Sequence, residues 1–363
     1  MSPTSTLPPG ARLAATVTVP ASLGFIPVAI HFDLFRILCE LGPSSAAQVA
    51  SACNARTLPS PAIGELLAAD TLFIMAGLGL VDCVEDQFHA NDMTHHMVNM
   101  PSAQHGALHF TTEGLMAGAF LYSKLRDTGF AYPFSDADGP IQHAYRLMGE
   151  EHLATQHTYA IMEQQGRMDS FNQFMVGKFL KFGTFPERAE SMGYDLGAVL
   201  QSPLEGPVAV DIGGGHGELL LEIQSAFPHL RRDQLVVQEF NTEITEIDGL
   251  RLMEWNYKTA PDQPITGARV YLLQHILHNL PDLDAVSLLQ KLSRALSSSS
   301  RLLIIEYAKN KTYTNLHASM IALYGGRERS STEWHQLASV CGLRVTFEKY
   351  LAAGESLVEM QVV

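Results

Sequence analysis

The sequence predicts an α/β fold in which a parallel sheet with helices on both faces follows a mostly helical region. From residue 208 onward, short apolar runs of strand length alternate with amphipathic segments of helix length, which is the pattern of a sheet with helical crossovers. Before residue 200 the apolar residues instead recur at helical spacing, and β-like runs occur only around 80–92. We therefore expect two domains, 1–200 and 201–363, joined by a hinge at Pro203–Pro207.

The N-terminal region is predicted to form three helices followed by a β-wing. Residues 25–41 have helical spacing, Ala46–Ala52 follow a serine that can cap a helix, and 62–76 end at Gly77. With the β-like runs at 80–92, this order is that of a winged-helix module, which often binds DNA. The net charge of −14 and the lack of a face rich in Lys and Arg argue against a nucleic-acid partner, because binding phosphates needs a basic surface.

Composition is typical of a globular cytosolic protein. With 363 residues, 46% of them hydrophobic, the chain can bury a large core. No long apolar run is free of polar breaks, and the N-terminus lacks the basic start and apolar block of a signal peptide, so we expect no membrane segment. The four cysteines have no C-x-x-C spacing, and His105 and His109 have no cysteine or acid pair nearby. Reduced thiols and no metal site are therefore expected.

A strand, a glycine-rich turn and a helix are predicted around residues 208–217, whose sequence is VAVDIGGGHG. Glycines allow positive φ and a close approach of the backbone to a ligand, and the helix behind them starts with unpaired N–H groups. Glu239 ends the next apolar run, where an acid can accept both hydroxyls of a ribose. Glu218 stands where a dinucleotide fingerprint needs its third glycine. The spacing is instead D-x-G-x-G-x-G, formed by Asp211, Gly213, Gly215 and Gly217.

This spacing resembles motif I of S-adenosylmethionine (SAM) methyltransferases, and a second motif makes the resemblance more specific. Residues 274–282, with the sequence QHILHNLPD, resemble the R/K-H-I-L-H-D-W-P/S-D segment of caffeate-type plant and fungal O-methyltransferases. The resemblance covers essentially the whole chain. It implies a Rossmann-like SAM-methyltransferase domain, preceded by a mostly helical, winged-helix-like domain that supplies the substrate lid and the interface of a homodimer.

The resemblance also implies the catalytic residues. His278 takes the position of the family's general base, and Glu306 and Glu328 take the positions of the two acids that orient its imidazole. A phenol or enol is a poor nucleophile until its proton leaves, and a neutral imidazole that removes this proton contributes roughly 10²–10⁴ in rate. A carboxylate beside the imidazole fixes its tautomer and stabilises the imidazolium that forms.

Other positions are expected to contact the cofactor or the acceptor. Residues 171–175, with the sequence FNQFM, resemble the F-N-x-x-M segment that lines the acceptor pocket in plant and fungal relatives, although such a stripe is as often core. Residues 253–258 fall where relatives contact adenine, and Asn256 or Glu254 could take that role. The further expected cofactor contacts are Gln274 and Asn256, and the expected substrate contacts are Phe171, Met175, His109 and Asn279.

Two departures from the family pattern keep more than one function open. Asn279 replaces the aspartate that follows the base, and Leu280 replaces the tryptophan. We predict a cytoplasmic SAM-dependent O-methyltransferase that acts on a hydroxyl of an aromatic or polyketide-derived small molecule in secondary metabolism. The first alternative is a methyltransferase-like pericyclase or dehydratase that binds SAM and keeps its methyl group in place, although such proteins tend to replace the base. The second is an inactive SAM-binding regulatory protein.

Overall fold

The computed structural model describes residues 7–56, 62–176, 183–200, 206–240 and 246–363, so the predicted hinge at Pro203–Pro207 lies partly outside the described residues. The helices are Pro9–Val17, Val19–Leu23, Ile26–His31, Leu34–Leu41, Ala46–Ala55, Glu65–Gly77, Asp92–Asn99, Pro101–His109, Leu115–Asp127, Pro140–Leu147, Thr158–Gln164, Met168–Val176, Phe185–Ser191, Leu196–Leu200, Glu218–Ala226, Asp282–Ala295, Thr314–Tyr324 and Ser331–Val340.

The chain divides into two compact units. The helical unit contains Met1–Ala119 and Met162–Phe179, and the sheet unit contains Phe120–Ile161 and Leu180–Val363. The units interleave along the chain, so their limits differ from the predicted division at residue 200. The physical reason is that the segment Phe120–Ile161 makes most of its contacts with the sheet unit, although it precedes the strands by many residues.

The prediction of one helix over residues 25–41 is wrong, because the chain breaks this helix at Asp33. Asp33 has a left-handed backbone conformation, with φ 52°, between the helices Ile26–His31 and Leu34–Leu41. Its carboxylate accepts hydrogen bonds from Arg36, at 3.2 Å, and from Arg56, at 3.0 Å. A short acidic side chain tolerates this conformation better than a β-branched one does, and helical spacing alone does not reveal it.

The remaining predicted elements of this region are present with small shifts of their ends. The helix Ala46–Ala55 begins at a capping box in which the Ser45 hydroxyl accepts from the Gln48 N–H, as predicted for this cap. Strands β1 (Asp82–Val84) and β2 (Gln87–His89) pair antiparallel at the position of the predicted wing. A hairpin therefore follows the helices, in the predicted order.

The first three helices follow one another almost end to end. Among the described residues, this run, Pro9–His31, is long and apolar enough to cross a membrane by length and composition alone, whereas the sequence predicted no such segment. Little of the run is buried in the structure. Core helices of soluble proteins and N-terminal signal sequences also meet this criterion of length and composition, so one such run is weak evidence for a membrane span.

A seven-stranded sheet forms the centre of the sheet unit. Its strands are β3 (Ala209–Ile212), β4 (Leu235–Glu239), β5 (Arg251–Glu254), β6 (Val270–Gln274), β7 (Arg301–Glu306), β8 (Leu343–Lys349) and β9 (Ser356–Val362). Their spatial order is β5-β4-β3-β6-β7-β9-β8. Strands β3 to β7 are parallel, which confirms the predicted alternation of strands and helices. Strands β8 and β9 are antiparallel and complete the sheet as the predicted C-terminal hairpin.

The order of the strands determines where a ligand can bind. From β3 the chain proceeds outward through β4 and β5, and it returns to the other side of β3 at β6. Such a switch point leaves a crevice at the carboxyl ends of the strands, where ligands of open α/β sheets bind. Glu239, Gln274 and Glu306 end β4, β6 and β7, respectively, and therefore lie at this edge.

Alternate residues of each central strand face opposite layers of the core. Along β3, Val210 and Ile212 pack in one apolar cluster, and Ala209 packs in the other. The helix Asp282–Ala295 covers the first cluster and contributes Leu288, Leu289 and Leu292 to it. Both faces of the sheet are therefore covered, as expected for a parallel sheet.

We expect Leu289→Ala to lower the free energy of unfolding of the sheet unit by about 2–5 kcal/mol, because it leaves a cavity in a well-packed core. Leu289 is completely buried, whereas Leu283 on the same helix is 85% exposed. Leu283→Ala is the matched control and should change stability by less than about 0.5 kcal/mol. Urea unfolding followed by tryptophan fluorescence measures both, and equal effects of the two changes would contradict this packing.

Candidate active site

The glycine turn after β3 forms a surface that only glycine backbone can provide. Gly213, Gly215 and Gly217 all have positive φ, at 67°, 54° and 78°. A Cβ on Gly213 would lie 2.6 Å from the Ile276 Cδ1 atom, and one on Gly217 would lie 2.5 Å from the Leu250 Cδ1 atom. A Cβ on Gly215 would meet no atom within 4 Å. The turn is therefore tightly packed on its inner side and open at its centre, as a ligand-binding turn requires.

An acid lies directly against this turn. Glu239 ends β4, and its Oε2 atom accepts a hydrogen bond from the Gly215 N–H at 3.1 Å, while Oε1 accepts from the Phe240 N–H at 2.8 Å. Asp211 is buried in β3 just before the glycines. A carboxylate at the open centre of a glycine turn fits a ribose with two adjacent hydroxyls, so these residues fit an adenosyl cofactor.

The predicted histidine and its two predicted acids lie together at the end of β6. His278 is on a short helical turn, Leu277–Asn279, and is buried. Its Nδ1 atom lies 2.9 Å from the Glu328 Oε1 atom, and its backbone N–H donates to the Glu306 Oε1 atom at 3.0 Å. A histidine with Nδ1–H bonded to a carboxylate carries its lone pair on Nε2. An imidazole held in this way can accept a proton at Nε2.

The local charges act on His278 in opposite directions. Burial lowers the pKa of the imidazole, but the Glu328 carboxylate, its hydrogen bond and the Glu306 carboxylate outweigh burial, so the pKa is raised. Burial raises the pKa of Glu306 to about 7. Among the residues that the structure describes, the Oε2 atoms of both glutamates are buried without a hydrogen-bond partner. This negative environment stabilises a positive charge on the imidazole.

The segment Gly325–Arg329 packs against the turn that carries His278, residues 277–280, which we call the His278 turn. A Cβ on Gly326 would lie 2.1 Å from the His278 carbonyl oxygen and 2.6 Å from the Asn279 carbonyl carbon, so only glycine fits there. Glu328 follows two positions later and is completely buried. The close contact of two backbones therefore places the segment that carries Glu328 next to the His278 turn.

Gln274 and Asn256, both predicted to contact the cofactor, already have hydrogen-bond partners. The Gln274 amide donates to the Glu355 carboxylate at 2.8 Å. The Asn256 side chain accepts from the Lys258 N–H at 3.0 Å, next to Trp255, whose backbone N–H donates to the Glu239 carbonyl at 3.0 Å. Asn256 therefore lies close to the end of β4, whereas the Gln274 amide is part of a network with Glu355.

A second histidine, His275, lies beside His278 and pairs with Glu355. The sequence did not indicate this pair. The His275 Nε2 atom lies 2.6 Å from one oxygen of Glu355, and the Arg188 Nε atom lies 2.9 Å from the other. His275 has φ 54°, which is strained for a non-glycine residue. Its ring centroid is 5.3 Å from that of His278. No local signal indicates this pair, because Glu355 lies in the C-terminal hairpin.

Asn279, predicted to contact the substrate, is held by a residue that the sequence analysis also missed. Its amide donates to the Tyr159 hydroxyl and to the His275 carbonyl oxygen, both at 3.1 Å. Leu280, which stands in the place of the family's tryptophan, is buried in the apolar core. The Tyr159 hydroxyl accepts a hydrogen bond from this amide, so Asn279 has a partner here although it stands where the family has an aspartate.

The other predicted substrate residues belong to the helical unit. His109 is buried, with its Nδ1 atom 3.3 Å from the Glu113 Oε2 atom, and its ring centroid is 5.1 Å from that of Phe171. Phe171 and Met175 are half-buried on the helix Met168–Val176. The helix Pro101–His109 packs against this helix so closely that a Cβ on Gly106 would lie 2.8 Å from the Phe174 ring.

Among the described residues, no group of three or more His, Cys, Asp or Glu side chains is arranged to hold a metal ion. The polar groups that converge at the carboxyl edge of the sheet are instead paired with each other, as imidazole with carboxylate and as amide with hydroxyl. These pairs can position small-molecule groups and move a proton.

Comparisons of the sequence with known proteins all find O-methyltransferases. A family model described as an O-methyltransferase domain matches residues 199–344. O-methyltransferase bfoE of Aspergillus brasiliensis is 48% identical over 98% of this chain and 96% of that protein. O-methyltransferase aunE of Aspergillus niger is 46% identical over 98% of this chain and 96% of that protein.

Comparison with solved structures finds a protein of similar fold. The structure of LepI in complex with SAM matches 99% of this chain and 90% of that chain with a TM-score of 0.80, at 19% sequence identity. At this identity the likeness concerns the fold alone. The likeness therefore supports an α/β fold of the kind found in SAM-binding structures.

We expect Gly326→Ala to displace the His278 turn and to lower the free energy of unfolding by about 1–3 kcal/mol, because the added methyl group would overlap backbone atoms that cannot move aside cheaply. Gly118, on the exposed side of a helix, has open space around its Cβ position. Gly118→Ala is the control and should be neutral or stabilising by up to about 1 kcal/mol. Chemical unfolding measures both, and a wild-type curve for Gly326→Ala would contradict the close contact.

Proposed function

This chain belongs to the family of SAM-dependent O-methyltransferases, and we propose that it methylates a hydroxyl of an aromatic or polyketide-derived small molecule with His278 as the general base. The observation that carries this proposal is the buried hydrogen bond between the His278 Nδ1 atom and Glu328. It leaves Nε2 as the basic nitrogen of a neutral imidazole. Family membership supports the reaction type, and the geometry supports the identity of the base.

We propose that the glycine turn and Glu239 hold the cofactor. When bound, SAM supplies an electrophilic methyl group on a sulfonium. The Glu239 carboxylate would accept the ribose hydroxyls, and the backbone of Gly213, Gly215 and Gly217 would lie against the cofactor, with Asp211 behind the turn. Asn256 and Gln274 are the proposed further contacts. The open centre of the turn at Gly215 supports this assignment.

We propose that His278 removes the proton of the acceptor hydroxyl. A phenol becomes a strong nucleophile only as its proton leaves, and the Nε2 lone pair would accept this proton within hydrogen-bond distance. The imidazolium that results would be stabilised by Glu328 at Nδ1 and by the nearby carboxylate of Glu306. Burial strengthens these interactions because water does not screen them.

We propose Asn279, in the sheet unit, as a contact of the acceptor. Within the helical unit, we propose Phe171, Met175 and His109 as acceptor contacts, on the resemblance of residues 171–175 to the family's pocket segment. Aromatic rings suit a flat apolar acceptor, and Phe171 lies among further rings that surround His109. The Asn279 amide, held by Tyr159, can donate to or accept from an oxygen of the acceptor. These side chains favour a planar molecule that carries several oxygens.

Methyl transfer is favoured over the two alternatives by the intact base. Methyltransferase-like pericyclases and dehydratases that keep the methyl group on SAM tend to replace the residue at the base position, whereas His278 and its two acids are retained here; a regulatory protein needs no such set. Mass spectrometry separates the three functions. A methylated product supports our proposal, an isomer or a dehydrated product supports the first alternative, and SAM binding without turnover supports the second.

We infer further that the helical unit is a winged-helix-like domain that forms a homodimer in the cytoplasm, with neither a nucleic-acid nor a membrane partner. Apolar residues Leu13, Val17 and Val19 are exposed on the N-terminal helices, and burial in a second copy would remove them from water. The net charge of −14 disfavours phosphate-rich partners. The order of helices and β-hairpin supports the winged-helix assignment.

We expect His278→Ala to lower kcat by about 10²–10⁴-fold with little change in SAM affinity, because it removes the base and leaves the glycine turn intact. Transfer of labelled methyl from SAM to a panel of dihydroxynaphthalenes and hydroxyanthraquinones measures kcat, and calorimetry measures SAM binding. Glu239→Ala should instead weaken SAM binding by roughly 10–100-fold. His335→Ala, at an exposed position, is the matched control. Undiminished transfer by His278→Ala would refute the proposed base.

We expect Glu328→Gln to move the acidic limb of the kcat–pH profile to lower pH and to lower its plateau. The imidazole must be neutral to act, so activity rises as the pH rises through the pKa of His278. The Glu328 carboxylate raises this pKa above the ordinary 6.5, and its removal lowers it. Initial rates between about pH 5 and 9 measure the shift. Glu246→Gln, at an exposed site, is the control, and an unmoved limb would contradict the pairing.

A further inference from the structure

Arg329 is completely buried and binds the two ends of the His278 turn. Its Nη1 atom donates to the Leu277 carbonyl oxygen at 2.7 Å, and Nη2 donates to the Leu280 carbonyl oxygen at 3.1 Å. Nη2 and Nε also donate to the Asp282 Oδ1 atom, at 2.7 and 3.2 Å. The guanidinium lies over the ring of Trp334, 5.4 Å from its centroid. An arginine at 1% exposure therefore directs its donors at the His278 turn and at the start of the following helix.

These acceptors lie on either side of His278. Leu277 precedes it and Leu280 follows it by two positions, so the guanidinium spans the turn that carries the imidazole. Asp282 begins the helix Asp282–Ala295 and ties the guanidinium to the next rigid element. A planar fork of five donors can bridge such a set, whereas a single ammonium cannot reach all of it. The guanidinium is therefore placed to hold the orientation of the His278 turn.

Arg329 is also the positive group in an otherwise negative environment. The charged or titratable groups that face His278 are Glu306 from β7, Glu328 and Arg329 from the neighbouring segment, and His275 from the end of β6. The two carboxylates raise the pKa of His278, and Arg329 lowers it. Arg329 also acts to lower the pKa of Glu306. Because an arginine stays protonated even when buried, this charge is permanent.

We propose that Arg329 is a positioning residue for methyl transfer, one that holds the His278 turn in place and partly offsets the charge of the two carboxylates beside the imidazole. The proposal rests on the proposed role of His278 as the base. It adds a residue that contacts neither cofactor nor acceptor and acts through the turn.

The test compares Arg329→Gln with Arg329→Lys by NMR of isotope-labelled histidine and by kcat. Arg329→Gln removes the charge, so the titration midpoint of His278 and the acidic limb of kcat should both move to higher pH. Arg329→Lys keeps a charge but not the planar fork. Its titration midpoint should stay closer to that of the wild-type enzyme, while kcat falls by roughly 10²-fold because the base is misplaced. A purely structural role would lower stability and leave the titration unmoved.

Two further variants keep the test decisive. Arg294→Gln removes one exposed charge elsewhere in the sheet unit and should match the wild-type enzyme in both readouts. If Arg329→Gln does not fold, Asp282→Asn removes the carboxylate partner of the guanidinium and should lower kcat severalfold, with the KM for SAM unchanged. Wild-type titration and kcat in the Arg329 variants, or in Asp282→Asn where it replaces Arg329→Gln, would overturn the proposal.

The NMR readout also separates this inference from the proposed base. If His278→Ala retains methyl transfer, His278 is not the base. A displaced His278 titration in Arg329→Gln would then still show that Arg329 sets the electrostatics of the turn, without a role in the reaction. If His278→Ala is inactive and the titration does not move, the base is supported and the role of Arg329 is refuted.

Discussion

The hydrogen bond between the imidazole of His278 and the carboxylate of Glu328 is the interaction on which the rest of the site depends. Removing two ionisable groups from water costs several kcal/mol unless further hydrogen bonds satisfy them. Here the groups that hold the turn under this pair come from separate parts of the chain: Glu306, at the end of β7, accepts from the His278 N–H, and Arg329 donates to the Leu277 carbonyl oxygen. The pair keeps its geometry only while all of these parts are in place. The sheet positions them, because it brings the carboxyl ends of β6 and β7 together.

Much of this arrangement is predictable because its signals are local. The alternation of apolar runs predicts the parallel sheet, and the spacing of Asp211 and the glycines predicts a turn open to a ligand. Both depend on residues a few positions apart, for which backbone geometry leaves few choices. The histidine and its acids required a resemblance, since a lone buried histidine has no distinguishing pattern. The structure then brings Glu306 and Glu328 to the predicted imidazole.

The residues that the sequence could not reveal are those whose partners are far away along the chain. Tyr159 bonds to Asn279 across 120 positions, and Glu355 bonds to His275 across 80. No periodicity relates such positions, because the contact arises only after the sheet forms. The same holds for Gln274. Its place at a strand end predicts a ligand contact, but the sequence does not reveal that its amide also donates to Glu355. The helix break at Asp33 could not be predicted either, since the helical spacing of apolar residues continues through it.

The interleaving of the two units has a consequence for any attempt to separate them. The segment Phe120–Ile161 precedes the glycine turn by many residues, yet it belongs to the sheet unit. Through it, the Thr158 hydroxyl donates to the Leu323 carbonyl oxygen, and Tyr159 accepts from Asn279. A fragment that starts at residue 201 would carry every residue of the His278 turn but would lack these partners. Excision at the most obvious sequence boundary would therefore leave polar groups of the sheet unit without their partners.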